Sequence, residues 1–186
     1  DQVIASGYPL MSANEVTGGF NDVNTPGWIW GFDITLSNGL DLVSWWGQMD
    51  VYTYSYQWAG DKKGIDQGLF DAIDDNDVRK FQFDTTNDLQ PRNKFYNAAK
   101  VIGGQRNIED DYIYMRVAEM YLLSAEMAAK EGQTSKAVGR LNSILSKRFT
   151  DAADYAYVNG LSGEPLEDEI YLQTRIELWG EGKSYL

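Results

Sequence analysis

Residues 112–148 read YIYMRVAEMYLLSAEMAAKEGQTSKAVGRLNSILSKR, and they carry the strongest structural signal in the chain. From Tyr112 to about Lys130, apolar and small side chains recur every three or four residues, which is typical of the buried face of an α-helix. Gly132 suits a left-handed C-terminal cap, and Thr134 or Ser135 can cap a second helix that ends near Arg148. The stretch therefore predicts two antiparallel helices joined by a short turn.

Small side chains at defined positions give this helix pair a loose tetratricopeptide spacing. Two antiparallel helices approach closely only where a small residue replaces a bulky one, and Ala125 and Ala137 stand at such positions. A pair of this kind leaves one apolar face uncovered, so we expect further repeats as its neighbours. An ordinary helical hairpin is the alternative that the spacing alone leaves open.

A third helix is predicted over residues 165–182. Pro165 favours the first helical turn, and the acidic residues at 167–169 suit the positive end of the helix dipole. Gly180 and Gly182 mark its predicted end. A short helix is also plausible near residues 67–73.

Residues 1–61 differ sharply from the helical part in composition. They contain no Lys or Arg and five of the six Trp, and turn-forming pairs such as Asn38-Gly39 divide them into short pieces. Between Val51 and Trp58 the aromatic residues fall on alternate positions, which predicts a strand. We therefore predict a mainly α-helical fold: a tetratricopeptide-like helix pair over residues 112–148, an additional helix, and a loop-rich aromatic region with short strands.

Composition excludes several classes of function. A net charge of −12 disfavours binding to nucleic acid or anionic lipid, because both would be repelled. The chain has no Cys and no His, so it lacks thiolate metal sites and the commonest general base. The acidic run at residues 71–77 lacks the Gly and Glu of a calcium-binding loop. We predict no metal, no cofactor and no catalytic residue.

The ends of the chain carry no recognisable targeting segment. The sequence does not begin with Met, and its last residues interrupt a helix-end motif. No apolar run approaches the length needed to cross a bilayer. We expect the chain to be part of a longer protein.

Five ordered motifs resemble the SusD/RagB family of glycan-capturing outer-membrane lipoproteins. They are Asp77-Val78-Arg79, Lys94-Phe95, the helix from Tyr114 to Glu126, the second helix with Leu141-Asn142 and Lys147-Arg148, and the run from Arg175 to Gly182. Together they cover roughly residues 75–186. One residue separates Arg175 from Glu177, where the family pattern has two, so the partner of Arg175 is left open.

The resemblance implies a function as well as a fold. The whole chain, residues 1–186, would be the C-terminal region of a surface-exposed lipoprotein of the cell outer membrane. Such a protein captures an oligosaccharide or polysaccharide and passes it to a TonB-dependent, SusC-like transporter, without breaking a bond and without a cofactor. Contact with the membrane would be made only through a lipid anchor that is absent from this chain.

The aromatic residues before Gly60 are the candidate glycan-binding set. Sugar rings stack their C–H faces on flat aromatic side chains, and Trp and Tyr suit partly exposed surfaces. We expect part of the set to fill a small core instead. Adjacent Trp residues cannot both face one side of an extended chain, so at least one of them is a candidate for exposure. The candidate residues are Trp28, Trp30, Trp45, Trp46, Tyr52 and Tyr54.

Two other functional classes stay open. A glycoside hydrolase needs two carboxylates that face a cleft. Glu177 and Glu181 are a like-charge pair at i,i+4, so we expect them to meet Arg side chains from neighbouring helices rather than to act in catalysis. A tetratricopeptide-type protein-interaction scaffold would bind no glycan, and its mark would be further repeats.

Overall fold

The computed structural model describes residues 1–41, 43–52, 56–103 and 107–183, and within them the chain is mainly helical with one two-stranded sheet. The regular elements are α1 (Gln2–Ala5), β1 (Trp28–Phe32), α2 (Trp45–Met49), α3 (Gln67–Asp71), β2 (Tyr112–Arg116), α4 (Val117–Lys130), α5 (Thr134–Leu145) and α6 (Glu164–Glu177). Short 3₁₀ segments span Glu15–Thr17, Leu36–Asn38, Val78–Gln82 and Ala152–Gly160. Among the helices described, none combines the length and apolar character required to cross a bilayer. The predicted fold class is confirmed.

The predicted helix pair is present as α4 and α5. Ala125 and Ala137 are both fully buried in the same apolar cluster, as their small size led us to expect. Gly132 has φ of 71°, the left-handed conformation predicted for the cap. The capping of α5 differs from the prediction, because its N-cap residue is Gln133 and no side chain accepts a hydrogen bond there.

The first helix begins five residues later than predicted. Tyr112–Arg116 forms strand β2, which pairs antiparallel with β1 and places Phe32 opposite Tyr112 and Trp28 opposite Arg116. The helical spacing of apolar residues continues through this segment, but hydrogen bonding to a distant strand fixes its backbone in the extended form. Tertiary pairing has overridden the local helical pattern here.

The third helix ends at Glu177 rather than near residue 182. Gly180 and Gly182 have φ of 77° and 73°, so the chain turns out of the helix at these positions. The carbonyls of Glu177 and Trp179 accept hydrogen bonds from the Lys94 ammonium group, which replaces the bonds of a further helical turn.

The strand predicted over Val51–Trp58 is wrong for the residues that the structure describes. Val51 and Tyr52 form a bend and 56–58 a turn, whereas 53–55 lie outside the described residues. Side-chain hydrogen bonds fold the backbone locally. The Asp50 carboxylate accepts from the Tyr52 amide at 2.8 Å, and the Gln57 side chain bonds the backbone N–H and carbonyl of Lys63.

Candidate functional site

A buried ionic cluster organises the molecule around Glu177 at the end of α6. Its carboxylate lies 3.1 Å from the Arg79 guanidinium and 2.6 Å from those of Arg116 and Arg148. Burial alone would raise the pKa of Glu177, but the charges of Arg148 and Arg116 outweigh it and hold the pKa well below its usual range. Three guanidiniums from separate segments therefore meet at one carboxylate, which confirms the predicted structural ion pairing.

Glu181 extends the same cluster. Its carboxylate lies 2.8 Å from Arg116 and 2.9 Å from Lys94, and burial of these groups is nearly complete. Burial lowers the pKa of Lys94 to about 8. The negative charge of Glu181 opposes this shift, and the positive charge of Arg116 adds to it. The Lys94 ammonium also meets two carbonyls at the C-terminal end of α6, the negative end of its dipole. Both oxygens of each glutamate are engaged, so this pair is a structural brace and not a candidate acid and base.

Three exposed rings form an aromatic patch on the two-stranded sheet, consisting of Trp30 and Phe32 of β1 and Tyr114 of β2. The Trp30 and Tyr114 ring centroids lie 5.3 Å apart, and those of Phe32 and Tyr114 lie 5.4 Å apart. The three side chains are 57%, 52% and 43% exposed, respectively. Large apolar rings that touch one another and face solvent are a feature of binding surfaces.

A break in strand pairing creates the patch. The register between β1 and β2 shifts on both sides of Trp30. Residues two apart on a regular strand share a face, but here Trp28 enters the core at 6% exposure while Trp30 faces solvent. The irregular pairing thus separates two Trp residues that the sequence places in equivalent positions.

A cavity of about 840 Å³ lies beside the patch, and Tyr114 lines the cavity as well as belonging to the patch. Trp45, Tyr112 and Trp179 contribute further aromatic surface to its wall, and Asp66 and Arg175 contribute polar groups. Its size lies in the range of small-molecule binding clefts. The Arg175 guanidinium, whose partner the sequence left open, stands 5.8 Å from the centre of the Tyr171 ring.

The predicted glycan-binding residues separate into different environments. Trp30 lies on the aromatic patch, and Trp45 is half-buried on the wall of the large cavity. Tyr52 is half-buried and lines a second cavity, which none of the patch residues reaches. Tyr54 falls outside the described residues. Trp30 and Trp45 are linked through Tyr114, whose ring contacts Trp30 and lines the large cavity together with Trp45.

Trp28 and Trp46 are core residues. Trp46 is completely buried, and its indole N–H donates to the Asp111 carbonyl at 3.2 Å. Trp45 and Trp46 belong to helix α2 rather than to an extended chain, so helical rotation sets their different burial. Neither Trp28 nor Trp46 presents a face on which a ligand can stack, and we leave both out of the site.

Two residues of the patch, Phe32 and Tyr114, are not among the residues that the sequence predicts. Phe32 continues the alternation of Trp28 and Trp30, so a sequence signal for it exists. Tyr114 fits the helical stripe of the sequence, and this fit hides its place on a strand. Among the residues that the structure describes, no group of three or more acidic side chains is arranged to hold a metal ion.

Comparison with known proteins gives a consistent family result. The sequence profile of the SusD family matches residues 44–186. A SusD-like carbohydrate-binding protein from Bacteroides vulgatus ATCC 8482 is 28% identical, with a TM-score of 0.72, and the match covers 99% of this chain and 38% of that protein. None of the curated proteins matches the chain.

Two further solved structures share the fold. A SusD superfamily protein from Bacteroides thetaiotaomicron VPI-5482 is 24% identical with a TM-score of 0.64, and the match covers 95% of this chain and 40% of that one. A protein from Bacteroides vulgatus ATCC 8482, described as a putative sugar binding protein, is 21% identical with a TM-score of 0.66, and the match covers 98% of this chain and 39% of that one. The chain thus spans about two-fifths of the length of these proteins.

Proposed function

Because this chain belongs to the SusD/RagB family, we propose that it binds an oligosaccharide or polysaccharide without changing it chemically. The observation that carries the proposal is the aromatic patch. Trp30, Phe32 and Tyr114 offer adjoining apolar faces to solvent, and the C–H face of a sugar ring can stack on such faces.

The large cavity supplies the polar half of the site. Sugar hydroxyls need hydrogen-bonding groups near the stacking rings, and Asp66 and Arg175 lie on the wall that Tyr114 shares. Water can bridge the remaining hydroxyls in a cavity this open. Trp45 stays in the proposed site as a half-buried wall residue, in edge-to-face contact with Trp46 at 4.9 Å.

Absence of bond cleavage is part of the proposal. The two glutamates that the sequence singled out are both held by cations, and the charges of those cations keep their pKa values low. A glycosidase needs one carboxyl group that stays protonated near neutral pH. The brace gives neither glutamate that property.

Binding is tested with the full-length gene product on a glycan array, followed by calorimetry with the best oligosaccharide. Trp30→Ala should weaken binding roughly tenfold or more, since a loss of about 1.4 kcal/mol is tenfold in affinity. Tyr157→Ala is the matched control, because Tyr157 is 52% exposed and lies outside the patch. Equal loss in both variants, or release of new reducing ends, contradicts the proposal.

Location and partner follow from the family resemblance. We propose that the intact protein is a lipoprotein on the outer-membrane surface that delivers glycan to a TonB-dependent, SusC-like transporter. Purification of the intact protein from solubilised outer membranes should recover that transporter in a stoichiometric complex. Recovery of the protein from the soluble fraction alone would contradict this part and leave glycan binding standing.

A further inference from the structure

Positive charge is concentrated around the large cavity, against the balance of the chain as a whole. The chain has 16 Lys and Arg against 28 Asp and Glu. Four of these cations belong to the buried ionic cluster around Glu177 and Glu181. Three more line the large cavity, namely Lys63, Arg175 and Lys183. Nearly half of the cations of an acidic protein therefore lie in one region, and this concentration needs a local explanation.

The ionic cluster carries one positive charge more than its carboxylates balance. Its ion pairs join four cations to three carboxylates. The cations are Arg79, Lys94, Arg116 and Arg148, and the carboxylates are Asp77, Glu177 and Glu181. Glu181 also lines the large cavity, so the cluster lies directly beneath the cavity wall. Because buried charges are screened less than exposed ones, the excess positive charge acts on a ligand in the cavity.

The three cations of the cavity wall differ in their partners. The Lys63 ammonium group lies 2.6 Å from the Asp61 carboxylate, and that of Lys183 lies 3.3 Å from the Glu119 carboxylate. The half-buried Arg175 side chain forms no hydrogen bond and no ion pair with any residue that the structure describes. Arg175 is therefore a wall cation whose donors are available to a ligand, which answers the question of its partner that the sequence left open.

The wall also offers a carboxylate acceptor. The Asp66 carboxylate accepts from the Leu69 amide at 3.1 Å, and within the described part of the chain it pairs with no cation. A carboxylate accepts hydrogen bonds from sugar hydroxyl groups, whereas a guanidinium binds most strongly to a carboxylate. A sugar that carries a carboxylate presents both kinds of group. A sugar without one would leave the positive charge of Arg175 and of the ionic cluster unbalanced.

We propose that the large cavity takes a sugar residue that carries a carboxylate, and that Arg175 binds this carboxylate; the inference rests on the proposed glycan binding and specifies its substrate class. The planar guanidinium forms two parallel hydrogen bonds with a carboxylate, a pairing that an ammonium group cannot reproduce. Neighbouring sugar rings of the same glycan stack on the aromatic patch, which Tyr114 joins to the cavity.

The net charge of the chain is compatible with an acidic ligand at this place. Charges on the exposed surface are screened over about 8–10 Å at physiological salt, so most of the −12 acts weakly inside the cavity. The excess charge of the ionic cluster and the charge of Arg175 act at short range. A polyanion that contacts the whole surface is repelled, whereas a single carboxylate in the cavity is attracted.

A glycan array of matched pairs tests the proposal with the full-length gene product. Each pair consists of an oligosaccharide that contains a uronic or sialic acid and its carboxyl-reduced form, which retains the rings and linkages and loses the charge. The acidic member of at least one pair should bind about tenfold more tightly than the reduced member. Calorimetry on that pair should show that added salt weakens binding of the acidic member only.

Substitution of Arg175 locates the contact. Arg175→Gln should weaken binding of the acidic oligosaccharide about tenfold and leave the affinity for its reduced form unchanged, which also shows that the variant is folded. Arg175→Lys retains the charge and should lose less. Arg140→Gln is the matched control, because Arg140 is also a helical Arg beside a Tyr ring, at 5.6 Å, and lines neither of the two cavities described.

The outcomes separate this inference from the proposed function. If glycans bind in a way that depends on Trp30, but acidic members bind no better than reduced ones, the acidic substrate class is refuted and glycan binding stands. Equal losses in Arg175→Gln and Arg140→Gln would attribute the preference to net charge and refute the role of Arg175. Binding of sulfated glycans alone would overturn the carboxylate assignment. If no glycan binds the wild type, both proposals are refuted.

Discussion

The ionic cluster around Glu177 and the aromatic patch around Trp30 reverse the usual distribution of side chains. Arg79, Arg116 and Glu177 are almost completely buried, whereas the rings of the patch are about half exposed. Charged groups usually lie at the surface and large apolar rings inside. Each region therefore needs its own physical explanation, and the two explanations differ.

The burial of the ionic cluster is explained by its role in holding the fold together. The cluster joins the 3₁₀ segment of Arg79, the end of strand β2, the turn after α5 and the end of α6, so it fixes the positions of four distant segments. Its charges offset one another, which makes their burial tolerable. The aromatic patch joins only two strands and leaves apolar area in water. We propose a ligand as the explanation of its exposure, so the contrast separates a region that stabilises the fold from the region proposed to bind.

Replacing the central carboxylate should have the largest effect. Glu177→Gln leaves three buried guanidiniums without their shared counter-charge, which costs roughly 3–5 kcal/mol. Hydrogen exchange in peptides from residues 164–183 of the intact protein should accelerate on the order of 10²- to 10³-fold. Glu126→Gln is the control, because the Glu126–Lys130 pair is exposed to solvent and contributes little to stability. A change below tenfold for Glu177→Gln would show that the cluster is not a brace.

Substitution of two Trp residues from the same predicted set should change stability by very different amounts. Trp46→Ala removes a fully buried ring and its hydrogen bond to Asp111, so it should destabilise the protein by about 3–5 kcal/mol. Trp30→Ala should change stability by less than about 0.5 kcal/mol, since its ring is half exposed. Hydrogen exchange at residues 108–116 measures the change in stability of both variants. Similar losses in the two variants would mean that the patch belongs to the fold.

The pH dependence of the brace can be isolated through Lys94. The pKa of Lys94 in the folded protein is about 8, below its ordinary value of 10.5. Between these values the unfolded state binds more protons, so the Lys94 contribution to stability rises with pH from about 8 to about 10.5. Relative to Lys94→Met, the wild type should gain roughly 2–3 kcal/mol over this range. Thermal unfolding of both proteins at pH 7 and pH 10 measures the gain, and a difference that does not change with pH refutes the shift.

The smallest expected effect concerns the ring of Tyr114. Tyr114→Phe retains the stacking surface and should change glycan affinity by less than about threefold, whereas Tyr114→Ala should weaken it roughly tenfold. Calorimetry with the oligosaccharide selected on the array provides the comparison. If the Phe variant loses as much as the Ala variant, the hydroxyl group and not the ring is the contact.

The helical scaffold could be predicted because its signals are local. The helix pair requires close approach of its helices and a left-handed cap between them. The sequence indicates both through three residues, and the structure confirms each: Ala125, Ala137 and Gly132. The ion pairing of Glu177 could also be inferred, because like charges one helical turn apart need cationic partners. The candidate binding residues could not be separated from core residues in this way. Trp28 and Trp30 have the same residue type and neighbouring positions, yet one is buried and the other exposed.

The family, the helical class and the turn that joins the helix pair could be derived from the sequence alone, since periodicity, residue size and motif order depend only on neighbours along the chain. Which rings face solvent depends instead on tertiary contacts. The register shift beside Trp30, the strand that displaced the start of α4, and the pairing of Phe32 with Tyr112 all arise from contacts between segments some eighty residues apart. Long-range pairing of this kind leaves little local pattern, because the partner strand, and not the neighbouring residues, sets the direction of each side chain.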